Sequence, residues 1–160
     1  MMKNMRILIF SDSHGKNDNM EHILNTKRPY DMVLHAGDIE GFEYDLPAIA
    51  GVETHIVRGN CDFFCDLPIE KTVLLGENTI YIRHGDGYVN SNPESLLELT
   101  EANIIIFGHT HVPYYKEVNG RHLFNPGSIS KPRTADRIPS YGLLEIDNSG
   151  KINFQHIFLN

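Results

Sequence analysis

Five short aliphatic runs in this chain of 160 residues all end in the same kind of group. RILIF (6–10) leads into Ser11-Asp12-Ser13-His14, MVLHA (32–36) into Gly37-Asp38, and THIVR (54–58) into Gly59-Asn60. TIYIR (79–83) leads into His84-Gly85-Asp86, and IIIF (104–107) into Gly108-His109-Thr110-His111. Short runs rich in β-branched residues read as buried strands. Where such strands alternate with helices they build an α/β sheet, whose ligand crevice lies at the carboxyl ends of the strands. Fold and site are therefore constrained together: five strand ends deliver metal-binding side chains to one place.

The intervening segments supply the other elements. In NDNMEHILNTK (17–27), Met20, Ile23 and Leu24 fall at helical spacing, with Asn17 or Asp18 as N-cap. EYDLPAIA (43–50) predicts a short helix, Pro47 being tolerated only near its first turn. NPESLLELTEAN (92–103) predicts a further helix: Asn92 caps it, Pro93 suits its first position, and Leu96, Leu97, Leu99 and Ala102 form its apolar face. Hairpins are expected at 70–86, turning at Gly76-Glu77-Asn78, at 114–124 on Asn119-Gly120, and at 141–159 around Asn148-Ser149-Gly150. SKPRTADRIP (130–139) reads as one long irregular loop. The expected class is α/β, with a mixed sheet or two sheets stacked between helices, in a single domain over 1–160.

Composition narrows the function. With 41% hydrophobic and 22% charged residues, the chain has an ordinary globular balance. No apolar run approaches membrane-spanning length, and MMKNMRILIF has too short an apolar core for a signal peptide, so a cytoplasmic location is expected. There, a disulfide between Cys61 and Cys65 is not expected, and CxxxC without a second cysteine pair is a weak zinc signature. Fourteen Lys and Arg stand against 21 Asp and Glu, a net charge of −7. That argues against the broad basic surface a nucleic acid requires. It leaves room for a small phosphate-bearing substrate held through a bound cation.

Asp12, His14, Asp38, Asn60, His84, His109 and His111 are the candidate ligands. Asp12 and His14 lie two apart in a strand-like turn, which lets both face one side, and His109 and His111 repeat the spacing. Glycines before Asp38, Asn60 and His109 permit close backbone approach. Two Asp, one Asn and four His suit manganese, iron, nickel or zinc better than calcium or magnesium. Seven donors exceed the need of one ion with water bound, and two ions sharing a bridging carboxylate use them. Each motif alone is weak, and their joint occurrence at five strand ends carries the argument. His35 and His55, inside strands, and His22, His122 and His156 read as ordinary core or surface histidines.

Taken in order, Asp12-x-His14, Gly37-Asp38, Gly59-Asn60-Cys61-Asp62, His84-Gly85 and Gly108-His109-x-His111 resemble the calcineurin-like metallophosphoesterases. The similarity is closest to their small bacterial and archaeal phosphodiesterase branch, which Asn125-Pro126-Gly127-Ser128 also resembles. It spans about residues 5–146. The resemblance implies a four-layer αββα sandwich of two mixed β-sheets flanked by helices, with two divalent metal ions at the strand ends. Asp12, His14 and His111 would hold the first ion, Asn60, His84 and His109 the second, and Asp38 would bridge them. Manganese is the leading expectation, with nickel, iron or zinc as alternatives. The implied activity is phosphoester hydrolysis, most readily of a diester, by a hydroxide activated at the dinuclear centre, with Asn60, Asp38 and His84 as catalytic residues. The substrate would be a small phosphoester rather than a nucleic acid or membrane, and a homo-oligomer is compatible. The alternatives are a non-catalytic scaffold of the same fold, as in the retromer complex, and a nuclease.

Two positions depart from the commoner family pattern. Cys61 stands where many relatives place a histidine that protonates the leaving group, and a thiol is a weak acid for that purpose. Asp86 replaces the second histidine of His-Gly-His, and could orient a ligand, donate a proton or repel substrate. Asp62 is expected to orient a ligand or cap a turn. Cys65 is expected to be a packed free thiol, and Arg133 and Arg137 to be solvated loop residues.

Overall fold

The computed structural model describes residues 4–160. Alternation along β1 (Met5–Phe10) sets the layering. Ile7 and Ile9 enter one apolar cluster, Leu8 and Phe10 another, and all four are buried. The strand is thus apolar on both faces and must be covered on both.

The first sheet continues with β2 (Met32–His35) and β3 (Glu53–Ile56), parallel to β1. The second begins with the hairpin of β4 (Glu70–Leu75) and β5 (Asn78–Arg83), followed by β6 (Ile104–Ile106), β7 (Pro113–Val118) and β8 (Arg121–Pro126). The chain then returns to the first sheet as β9 (Ser140–Ile146) and β10 (Ile152–Phe158). The strand orders are β10-β9-β1-β2-β3 and β4-β5-β6-β8-β7, both mixed and both five-stranded. Between the sheets pack Ile7, Ile9, Leu34, Ile80, Ile104 and Ile106. Helices α1 (Asp18–Thr26) and α2 (Asp45–Ala50) cover the outer face of the first sheet through Met20, Ile23, Leu24, Leu46 and Ala50. Pro47 lies in the first turn of α2, where its missing N–H is not needed. Among the described residues no helix is long and apolar enough to cross a membrane.

The fourth layer is thinner than the sequence suggests. The segment 92–103 forms only a 3-10 helix, Pro93–Glu98, rather than an α-helix reaching residue 103. Asn92 does cap it, its side chain accepting from the Glu94 N–H. The guanidinium of Arg121 then takes the carbonyls of Leu97, Thr100 and Ala102 at 3.0, 2.6 and 2.9 Å. Those acceptors are lost to any continuing helix, and Leu96 is the one leucine of the stretch that is fully buried.

All three hairpins form. Asn119 and Gly120 both have positive φ, 50° and 78°, as a two-residue turn with the twist of the flanking strands requires. The strands preceding the candidate ligands are shorter than the apolar runs: β2 ends at His35 and β6 at Ile106. His35 is a satisfied core histidine. Its Nδ1 accepts from the Gly37 N–H at 3.1 Å, and its Nε2 lies 3.0 Å from the Ser13 hydroxyl. Burial lowers its pKa to about 4, against an ordinary 6.5.

The unfolded chain therefore binds one more proton than the folded chain between those two values. Stability from this group is complete above pH 6.5 and declines as the pH falls towards 4. Urea denaturation across that window should show wild type losing about 3 kcal/mol more than His35→Gln. Parallel loss in the two proteins would remove His35 from the acid response.

Candidate metal centre

The polar strand ends converge, though not through the pleat of a strand. Asp12, His14, Asp38, His109 and His111 have φ of 54°, 50°, 59°, 72° and 60°, in the left-handed region that side-chain-bearing residues seldom occupy. The two-residue spacing of Asp-x-His and His-x-His thus comes from tight left-handed turns, not from extended backbone. The Asp12 N–H donates to Gly37 O at 3.0 Å and the His14 N–H to Asp38 O at 2.9 Å, so the two turns lock onto one another. Such strain is concentrated at sites that the surrounding structure over-determines.

Glycine allows the approach. A Cβ at Gly59 would lie 2.2 Å from Asp38 Oδ1, and one at Gly108 would lie 2.0 Å from Ser11 Oγ. At Gly37, φ is 108° and a Cβ would meet His84 Nδ1 at 2.7 Å.

Both aspartates divide their oxygens between support and presentation. Asp12 Oδ2 accepts from the Ser11 hydroxyl at 2.6 Å and the His109 N–H at 3.0 Å. Its Oδ1 is buried without a hydrogen bond and faces His111 Nε2 at 3.2 Å and His14 and His84 Nε2 at 3.7 Å. Asp38 Oδ1 accepts from the Cys61 N–H at 2.7 Å, while its Oδ2 faces His84 Nε2 at 3.1 Å and His14 Nε2 at 3.6 Å. Asp38 thereby reaches one histidine from each expected ligand set.

The histidine tautomers are fixed from behind. His84 Nδ1 donates to Ala36 O at 2.8 Å and His111 Nδ1 to Lys131 O at 2.6 Å, which leaves each Nε2 free to offer a lone pair inward. His14 Nδ1 lies 3.4 Å from Glu40 Oε1, and its Nε2 lies 3.1 Å from His111 Nε2. His109 uses its other nitrogen: Nδ1 sits 3.1 Å from Asn60 Oδ1 and 3.3 Å from His84 Nε2. The potential ligand atoms of Asp12, His14 and His111 all lie within 4.8 Å of one another, as do those of Asp12, Asp38 and His84. A third such group joins His14 and Asp38 to Cys61.

The electrostatics match the donor set. Burial alone would raise the pKa of Asp12, but His111, His14 and His84 hold it far below the usual carboxylate range. Burial opposes a charge on His84, yet Asp38 and Asp12 lift it to about 9. His14 is raised chiefly by Asp12, and His109 is lowered by burial and by His84. Two anionic carboxylates thus draw positive charge into a buried pocket rich in nitrogen donors. These residues fit divalent cations of the borderline class.

The other predicted positions take distinct places. Asp62 is structural: one oxygen accepts from the N–H groups of Asp38 and Gly59 at 2.8 and 2.7 Å, the other from Glu40 at 2.7 Å. Cys61 and Cys65 are free thiols, and Cys65 Sγ donates to Asp62 O at 3.6 Å. Asp86 belongs to none of the ligand groups and lines a cleft beside Asn60. Sequence reasoning missed Glu40 behind His14, for which only its place two residues after Asp38 gave a sign. The segment 125–128 is a brace. Asn125 Nδ2 donates to Gly108 O and Thr110 Oγ1, and the Ser128 hydroxyl donates to Asp12 O.

Asp62→Ala removes a charged acceptor from three backbone donors and should destabilise the fold by about 3 kcal/mol in chemical denaturation. Gly59→Ala should keep its far-ultraviolet dichroism but lose at least about tenfold in metal affinity by calorimetry, the scale seen when a ligand's support is disturbed. Unchanged affinity would mean that Asp38 relocates without cost.

The chain is similar to several known proteins. Residues 5–149 match the family model for the calcineurin-like phosphoesterase superfamily domain. A probable metallophosphoesterase of Bacillus subtilis, YsnB, is 34% identical over 151 residues, covering 90% of this chain and 86% of that protein. Phosphodiesterase YfcE of Escherichia coli is 35% identical over 99 residues, covering 57% of this chain and 52% of YfcE. The crystal structure of a conserved protein from Streptococcus pneumoniae, described as a predicted phosphoesterase, superposes with a TM-score of 0.82 at 30% identity, covering 99% of this chain and all of that one. The chain belongs to the calcineurin-like phosphoesterase superfamily.

Proposed function

We propose that this protein is a phosphodiesterase that works with two divalent cations, manganese first among them, on a small phosphoester. The observation that carries the proposal is the buried, unbonded Oδ1 of Asp12, ringed by the Nε2 atoms of three histidines. With neutral imidazoles around it, as metal ligands must be, a buried anionic oxygen of this kind is costly unless a cation compensates it. Asp12, His14 and His111 would hold one ion, and Asn60, His84 and His109 the other, with Asp38 reaching both sets. Bound divalent cations supply Lewis acidity towards water and towards a phosphoryl group.

The chain's own groups do the positioning. Asp38 is fixed by the Cys61 N–H, and Asp62 fixes the backbone on both sides of that contact. His84 is aimed by Ala36 O, and Asn60 is exposed at the mouth, where its amide can meet substrate. Cys61, near the mouth, is a poor proton donor. Burial and Asp38 raise the Cys61 thiol above its ordinary pKa, which weakens it further as an acid. Leaving groups that depart without protonation are therefore favoured.

Bis(p-nitrophenyl) phosphate with Mn²⁺ is the direct assay. Turnover should vanish with chelator and fall at least about a hundredfold in Asp38→Ala. No metal-dependent turnover with any of manganese, nickel, iron or zinc would favour a non-catalytic scaffold. Among diesters, nitrophenyl arms should outrun alkyl arms by more than about a hundredfold, the usual contribution of a general acid. Equal rates would reveal a proton donor that this account omits.

A further inference from the structure

A cleft of about 520 Å³ opens from Asn60, walled by Arg58, Phe63, Phe64, Arg83 and Asp86. That volume is in the range of small-ligand sites. Its groups are unspent in a specific way. Arg83 is engaged, with Glu70 at 3.1 Å and the Tyr88 ring beneath it at 5.0 Å. Arg58 is half-buried, and no carboxylate among the described residues pairs with it. Neighbouring Asp62 accepts from three backbone N–H groups and makes no ion pair with it.

Phe63 and Phe64 are 74% and 108% exposed, so neither is there to fill the core. Phe64 also holds a left-handed backbone, φ 56°, which costs a bulky residue energy. Two aromatic faces, an uncompensated guanidinium and a carboxylate thus surround one opening next to the candidate metal ligands.

We propose that this cleft receives the far arm of a nucleotide diester, which makes a short 5′-phosphorylated dinucleotide the substrate class. The inference rests on the phosphodiesterase reading. A base stacks on Phe63 and Phe64, as bases stack on aromatic side chains generally. The terminal phosphate meets Arg58, whose planar fork suits phosphate oxygens. Asp86 repels that phosphate and accepts from a ribose hydroxyl or an exocyclic amine, which sets the direction in which the arm lies. In the reaction, a water oxygen bonds to the bridging phosphorus and the phosphorus–oxygen ester bond breaks. The departing ribose 3′-oxygen is an alkyl leaving group that takes its proton from solvent water, so pApA, which yields two molecules of AMP, turns over more slowly than a nitrophenyl diester.

The test compares pApA with ApA, which differs only in the terminal phosphate. With Mn²⁺ present, wild type should prefer pApA by about tenfold or more in kcat/KM, the worth of a charge-assisted contact. Arg58→Gln should abolish that ratio. Phe64→Ala, at a position too exposed to affect folding, should weaken both dinucleotides about fivefold or more. Binding of uncleavable phosphonate-linked forms of both dinucleotides, followed by calorimetry, should show the same order. Equal treatment of pApA and ApA by wild type, or a preference that survives in Arg58→Gln, would overturn the proposal. If the phosphonate form of pApA binds better than that of ApA while no diester is hydrolysed, the cleft stands and the phosphodiesterase reading falls.

Discussion

The structure turns on a carboxylate that is half anchored and half exposed to nitrogen. Asp12 fastens one oxygen to Ser11 and to the His109 backbone, and leaves the other buried among three imidazoles. Asp38 repeats the division with the Cys61 N–H. Once both aspartates are held this way, the facing histidines must keep their inward nitrogens clear of protein partners. Main-chain carbonyls behind His84 and His111 secure that by taking Nδ1. Most of these supports come from different strand ends, and the Lys131 carbonyl comes from the loop between β8 and β9, so the two-sheet fold is the device that brings them together.

The cost appears in the backbone. Five of the seven candidate ligands lie in the left-handed region, each at a cost of about 1 kcal/mol or more. The core on both sides of the strands offsets it: β1 is buried on both faces, and the interior between the sheets is largely aliphatic. Glycines 37, 59 and 108 are needed because the atoms they approach are those of the site, namely His84 Nδ1, Asp38 Oδ1 and Ser11 Oγ. Stability and site geometry are thus opposed at the same residues, and the segment Asn125–Ser128 braces the turns where that opposition is greatest.

Much of this was legible in the sequence because it depends on local pattern. β1, β2, β5 and β6 announce themselves as aliphatic runs, and Asn119-Gly120 announces its turn. The fold class follows from strand-helix order, and contacts between side chains link the seven candidate ligands into one cluster. What was not legible depends on distant partners. The α-helix expected at 92–103 yields to a 3-10 turn because Arg121, far along the chain, captures its carbonyls. The left-handed turns were misread as extended, since a spacing of two residues does not distinguish them. Glu40 stayed hidden because its role appears only when β2 and the His14 loop are side by side. The arginine and phenylalanines of the cleft carry no motif, and their meaning is purely positional.

The central claim is that the Asp12–Asp38–histidine cluster is built for cations. Anomalous scattering at the manganese edge, from crystals grown with Mn²⁺ and phosphate, tests it most directly. Two peaks are expected, one in contact with Asp12, His14 and His111, the other with Asn60, His84 and His109, and both in contact with Asp38. A cluster without anomalous signal, or manganese held at Asp86 or Cys61 instead, would contradict it.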